Sequence, residues 1–163
     1  MSDFIWVEKY RPTTIDECIL PKGIKKTFQD FVERGEIPNM LLSGPPGIGK
    51  TTVAKALCNQ LGADYYVING SDEGRFLDTV RTNAKNFAST VSLTSESKHK
   101  VIIIDEADNT TSDVQLLLRA SIEEFSKNCR FIFTCNYKNK IIDPLHSSVL
   151  LLISRLTKET NQQ

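Results

Sequence analysis

The sequence predicts an α/β fold, a five-stranded parallel sheet with helices on both faces. Three observations carry this. Strand-like and helix-like segments alternate along the chain, the pattern of crossover connections in a parallel sheet. The first strand runs into a glycine-rich turn, Gly44-Pro-Pro-Gly-Ile-Gly-Lys-Thr51, that opens a helix. A β-branched run, Val101-Ile-Ile-Ile104, ends in two adjacent carboxylates, Asp105 and Glu106. A continuous apolar run of this length suits a strand buried on both faces.

The elements follow in order. Residues 1–21 are irregular, punctuated by Pro12 and Pro21. Residues 22–34 fit a helix with Ile24, Phe28 and Phe31 near one face and Gly35 as its stop. A strand at 40–43, a helix at 51–61 ending at Gly62, and a second strand at 65–68 come next. Residues 74–89 read as a helix because Phe76, Val80, Ala84 and Phe87 are spaced for one face. Residues 92–100 are polar and read as a loop before the carboxylate strand. Ser112 is a suitable N-cap for a helix to about Phe125, with Val114, Leu117, Leu118 and Ile122 turned inward. A fourth strand at 131–135, a short connection or helical turn at 139–145 and a fifth strand at 149–153 complete the sheet. One strand, at 65–68, lies between the glycine-rich turn and the carboxylate strand in sequence, which resembles the pattern of the NTPases that place an extra strand between those two in space.

Composition bounds the function. A chain of 163 residues suits one domain with a sizeable core. Twenty basic and 20 acidic residues give zero formal charge, so any contact with nucleic acid must come from a local patch. The four cysteines, Cys18, Cys58, Cys129 and Cys135, form no C-x-x-C pair, and His99 and His146 are far apart. That argues for buried reduced thiols and against zinc. No apolar stretch approaches a membrane span, and the N-terminus lacks the basic region of a signal peptide, so the expected compartment is the cytoplasm.

The glycine-rich turn matches G-x-x-x-x-G-K-[ST]. Gly44, Pro45, Pro46, Gly47, Ile48 and Gly49 would turn the backbone so that its N–H groups and the helix start cradle phosphate. Lys50 supplies a charge for the β- and γ-phosphates, and the Thr51 hydroxyl, followed by Thr52, is placed to ligate Mg²⁺. Asp105 would hold Mg²⁺ directly or through water. Glu106 would polarise a water for in-line attack on the γ-phosphate. Together these motifs describe a site for ATP, Mg²⁺ and water. Each has a plainer reading alone, a loop before an ordinary helix and a solvated strand end.

A third segment, Trp6-Val-Glu-Lys-Tyr-Arg-Pro12, resembles the N-terminal box of the AAA+ sliding-clamp loaders, the replication factor C family. The resemblance runs nearly the whole length. At Thr14-Ile-Asp-Glu-Cys-Ile-Leu-Pro21, Thr52-Val-Ala-Lys-Ala-Leu-Cys58 and Val67-Ile-Asn-Gly-Ser-Asp72 it is similar to the large clamp-loader subunit of T-even-type bacteriophages. It implies a P-loop NTPase core over residues 1–156, with 1–21 on the adenine side and a polar tail at 157–163. By the same resemblance Tyr10, Arg11 and Pro12 flank the adenine, and Asn136 at the end of the fourth strand is the γ-phosphate sensor. Asn69 falls where the superfamily often has a polar switch on the catalytic glutamate. Gln115 and Arg119 match positions that relay contacts between subunits, and read otherwise as two solvated helix residues. DNA backbone contact would fall on Arg75, Arg81 and Lys85 and on the helix start at Thr110, Thr111 and Ser112. Those charges read equally as a solvated face, and Gly74-Arg75 reverses the family's order. The implied partners are the other subunits of a hetero-pentamer, a sliding clamp and primer–template DNA, in the host cytoplasm if phage-encoded.

Two departures qualify the resemblance. The family ends this domain with Ser-Arg-Cys, whose arginine reaches the neighbouring subunit's ATP. This chain reads Ser147-Ser148-Val149, and Arg155 lies beyond the next strand. After the polar tail that ends at Gln163, the family's helical lid and collar are not expected in this sequence. The chain is therefore expected to be monomeric alone and to bind nucleotide weakly. The alternatives are a nucleotide-binding remnant without turnover, or another AAA+ DNA motor such as a branch-migration helicase.

Overall fold

The computed structural model describes residues 22–45, 49–72, 78–79, 82, 86–87, 100–125 and 129–153. They form α1 (Lys22–Arg34), β1 (Met40–Ser43), α2 (Lys50–Leu61), β2 (Tyr65–Asn69), β3 (Lys100–Asp105), α3 (Ser112–Glu124), β4 (Cys129–Cys135), α4 (Asp143–His146) and β5 (Leu150–Ile153). Short 3₁₀ turns at Ala107–Asn109 and Lys138–Lys140 follow β3 and β4. The strands make one parallel sheet in the order β2-β3-β4-β1-β5. β4 therefore stands between the strand that enters the glycine-rich turn and the strand that ends in carboxylates, as the resemblance to those NTPases implied.

Alternation along the strands builds two cores. Leu41, Ile102, Ile104, Phe131 and Phe133 point to the face covered by Leu118 and Ile122 of α3 and by Ile141 and Leu145. Met40, Leu42, Val101, Ile103 and Ile132 point to the other face, against Phe28 and Phe31 of α1 and Val53, Ala54 and Leu57 of α2. The β3 run is buried throughout because both its faces are covered. Each such side chain contributes about 1.5–3 kcal/mol. No helix among the described residues is long and apolar enough to cross a membrane.

Several boundaries differ from expectation. Thr111, not Ser112, caps α3: its backbone is extended and its hydroxyl accepts from Val114 N–H at 3.3 Å, while Ser112 is already helical. Lys100 belongs to β3 rather than to a loop. It is buried, and its ammonium donates to the Phe87 carbonyl at 2.8 Å. β4 starts two residues early, because Cys129 pairs with Lys100. β5 starts at Leu150, since Val149 N–H still closes the turn after α4 onto His146. Of the helix expected at 74–89, only positions 78, 79, 82, 86 and 87 are described, and these are helical. Cys58, Cys129 and Cys135 are free and buried, whereas Cys18 lies outside the described residues.

Candidate functional site: a pocket at the carboxyl end of the sheet

β1 delivers the chain to the end of the sheet, where Gly44 N–H donates to the Cys135 carbonyl at 3.2 Å. The chain enters α2 through Gly49, whose φ of 74° is one that a side chain would strain. No side chain caps α2 and its first turn has no acidic residue. Its leading N–H groups, unsatisfied within the helix, face the N-terminal end with their dipole uncompensated. Such an end is suited to an anion.

The pocket in front of it has a volume of about 280 Å³. It is lined by Gly49, Lys50, Thr51, Thr52, Asp105, Glu106, Thr134, Cys135 and Asn136. These residues come from α2 and from the ends of β3 and β4, where open α/β sheets place their ligands. The Lys50 ammonium donates to the carbonyls of Gly44 at 2.9 Å and Pro45 at 3.0 Å and to Asn136 Oδ1 at 2.9 Å. Burial lowers its pKa below the ordinary 10.5, opposed by Cys135 and the carboxylates of Asp105, Asp108 and Glu106. Asp105 Oδ1 accepts two hydroxyls, Thr51 at 2.6 Å and Thr134 at 2.5 Å.

Glu106 has a left-handed backbone, φ 54°, where glycine is the ordinary occupant. That conformation costs a non-glycine residue about 1–2 kcal/mol. It is held by Glu106 N–H donating to Thr134 Oγ1 at 3.1 Å and by Asn109 N–H donating to the Glu106 carbonyl at 3.0 Å. Gly70 leaves the room, since a Cβ there would stand 2.6 Å from the Glu106 carbonyl oxygen. Behind the pocket the carboxylate of Asp108, itself buried, accepts from the N–H groups of Asn136 and Tyr137, both at 3.1 Å.

The arrangement can hold a polyphosphate with its cation. The Thr51 hydroxyl and Asp105 carboxylate are hard oxygen donors in contact, the donor set that suits Mg²⁺. Lys50 and the start of α2 supply the positive side. The pocket thus gathers Gly49, Lys50, Thr51, Thr52, Asp105, Glu106 and Asn136, and its contact between Lys50 and Asn136 joins residues 86 positions apart. Gly44 and Pro45 contribute carbonyls to Lys50. Pro46, Gly47, Ile48, Tyr10, Arg11, Pro12, Arg75, Arg81 and Lys85 lie outside the described residues.

One expectation changes. Gln115 is not a solvated residue. It is 1% exposed, its amide donates to the carbonyls of Thr110 and Lys140, and its oxygen accepts from Ile142 N–H. Arg119 is half-exposed and pairs with Glu123 at 3.5 Å. Asn69 stands beside Asp105 in register, but its side-chain oxygen accepts from Ser71 N–H and Oγ. The Thr110 hydroxyl turns back to Ala107 and that of Thr111 caps α3, while Ser112 is exposed. Ser147 and Ser148 both donate to the Pro144 carbonyl. Sequence reasoning missed Thr134 and Asp108. The signal for Asp108 was its place in Asp-Glu-Ala-Asp108, and for Thr134 a hydroxyl in an apolar strand two residues before Asn136.

Comparison with known proteins agrees with this geometry. The profile of the ATPase family associated with various cellular activities (AAA) matches residues 40–159. The replication factor C small subunit of Methanocella arvoryzae is 45% identical over 90% of this chain and 46% of its own length. That of Saccharolobus solfataricus is 42% identical over 93% and 47%. The chain spans about half the length of the curated relatives it matches. Among solved structures, the Thermotoga maritima RuvB Holliday junction branch migration motor superposes with a TM-score of 0.66 at 25% identity, covering 88% of this chain and 47% of that one. A point mutant of the same protein gives 0.68 at 26%, covering 88% and 48%. With the matched profile spanning both halves of the pocket, the chain belongs to the ATPase family associated with various cellular activities.

Proposed function

We propose that this chain is the ATP-binding and hydrolysing core of a DNA sliding-clamp loader subunit. The observation that carries the hydrolytic part is the pair of contacts Thr51–Asp105 and Lys50–Asn136, which joins the glycine-rich turn and the ends of β3 and β4 around one pocket. Lys50 and the N–H groups at the start of α2 bind the β- and γ-phosphates. Thr51 and Asp105 would hold Mg²⁺, which when bound neutralises phosphate charge. Glu106 accepts a proton from the water that attacks the γ-phosphorus, and ADP departs with the bridging oxygen. Asn136 orients that water or contacts the γ-phosphate. By the resemblance of the N-terminal box, Tyr10, Arg11 and Pro12 would flank the adenine.

The clamp-loader part rests on the replication factor C relatives at 42–45% identity over about nine-tenths of the chain. The RuvB structures, at 25–26%, support the fold and a second reading as a branch-migration motor. In the preferred reading the partners are other loader subunits, a sliding clamp and primer–template DNA. Arg75, Arg81 and Lys85, with the region of Thr110, Thr111 and Ser112, would meet the DNA backbone. Contacts of that kind grip phosphate without reading sequence. We place the protein in the cytoplasm. The segments at 14–21, 52–58 and 67–72 support a finer kinship with the T-even phage large subunit. A remnant that holds nucleotide without turnover is favoured by one observation: Ser148 hydrogen-bonds locally where the family has its arginine.

Steady-state ATP hydrolysis with Mg²⁺, measured alone, with primer–template DNA and with a four-way junction, separates these readings. Stimulation by the primer–template alone is expected. Stimulation only by the junction would favour the branch-migration motor, and no turnover under any condition would favour the remnant.

A further inference from the structure

Thr134 occupies a position where packing alone calls for a valine. It lies in β4 between two other strands, is 1% exposed, and follows the buried run Phe131-Ile-Phe133. A buried hydroxyl in such a strand needs partners. Both partners of this one belong to the pocket. It donates to Asp105 Oδ1 at 2.5 Å and accepts from Glu106 N–H at 3.1 Å. Its effect on Asp105 is to share with Thr51 the task of fixing one carboxylate oxygen. Its effect on Glu106 is to anchor the peptide N–H of the residue with φ 54°. A left-handed conformation at a non-glycine residue persists only where its surroundings over-determine it.

We propose that Thr134 is a positioning residue whose single hydroxyl sets both carboxylates of the site. It fixes Asp105 against Thr51 and holds the Glu106 backbone so that its side chain leaves the strand end toward the pocket mouth. The inference rests on the hydrolytic reading of the pocket given above. Partners that orient a ligating carboxylate commonly change metal affinity ten- to a hundredfold when removed.

The test compares wild type, Thr134→Val and Thr134→Ser. Valine keeps the shape and removes the hydroxyl. Serine keeps the hydroxyl and removes a methyl. Two quantities are read: hydrogen exchange at the Glu106 amide in the nucleotide-free chain, and affinity for a non-hydrolysable ATP analogue in Mg²⁺ and in EDTA. The expected result is faster exchange at Glu106 in Thr134→Val. Its affinity in Mg²⁺ falls about tenfold while that in EDTA is unchanged, and Thr134→Ser restores both. Wild-type Mg²⁺ enhancement in Thr134→Val overturns the inference and leaves the hydrolytic reading standing. Equal impairment of the serine and valine variants also overturns it, because packing is then the cause. Wild type that does not bind the analogue overturns the hydrolytic reading itself. Should Thr134→Val not fold, Thr134→Ala replaces it with the same two readouts.

Discussion

Lys50 spends its three donors on three protein oxygens, two of them loop carbonyls and one the side chain of Asn136. A phosphate competes for the same ammonium, so its arrival changes what Asn136 touches. Lys50→Ala is expected to lower ATP affinity at least tenfold with little loss of stability, since the side chain is only half-buried; equilibrium titration and a thermal melt check this. A second expectation concerns pH. The lysine pKa is lowered by burial, so as pH rises the charge that attracts phosphate is lost before the ordinary 10.5 is reached. Nucleotide affinity should therefore decline on the alkaline side before pH 10.5 is reached, and Lys50→Ala should have no such limb. The residues legible in the sequence were those whose meaning is local. Lys50 and Thr51 sit in a spaced pattern, and Asp105 and Glu106 end a strand. Thr134 and Asp108 were not legible as site residues, because a threonine in a strand and an aspartate after one become informative only when β4 is laid beside β3.

At the scale of elements, the turn after β2 is fitted to the end of β3. Gly70 N–H donates to the Asp105 carbonyl at 2.7 Å, and a Cβ on Gly70 would approach Asp105 O at 3.1 Å and Thr110 Cγ2 at 3.0 Å. Gly70→Ala is expected to destabilise the chain by about 1–3 kcal/mol in urea, the usual range for overpacking. It should lower turnover more than ATP affinity, because the displaced atoms, of which the Glu106 carbonyl oxygen is the nearest, follow β3 and do not belong to α2. Gln115 makes another such joint, linking α3 to the segments after β3 and β4. Gln115→Ala leaves Ile142 N–H and two carbonyls without that partner. A loss of about 1–3 kcal/mol for a buried group left unpaired is expected, checked by the urea midpoint. α1 was readable because Phe28 and Phe31 sit on one helical face above a single sheet face. The start of α3 differs by one residue because Thr111 and Ser112 are both good caps, and only the backbone at Thr111 decides between them. The first pairing of β4 was not legible because Cys129 and Arg130 do not look like an apolar strand. Arg130 satisfies itself by donating to the Ile37 carbonyl at 3.0 Å.

For the whole molecule, two apolar layers around one parallel sheet explain why the pocket lies at the strand ends. The faces are filled, and the crossovers leave the carboxyl edge open. The same burial sets an alkaline limit. The Cys58 and Cys129 thiols are pushed up to about 12 by burial, from an ordinary 9.0. The folded chain then keeps protons that the unfolded chain releases above pH 9. Their contribution is fully present below pH 9 and is lost as pH rises through about 12. Denaturant midpoints should fall over that window, and Cys58→Ala should flatten the slope. The central claim is that one pocket both binds ATP and hydrolyses it, with Glu106 acting only in the second step. The most direct measurement is ATP binding and steady-state phosphate release by wild type and Glu106→Gln, side by side in Mg²⁺. Both proteins are expected to bind ATP with similar affinity, and only wild type to turn it over. Equal turnover in the two proteins, or loss of binding in Glu106→Gln, would contradict it.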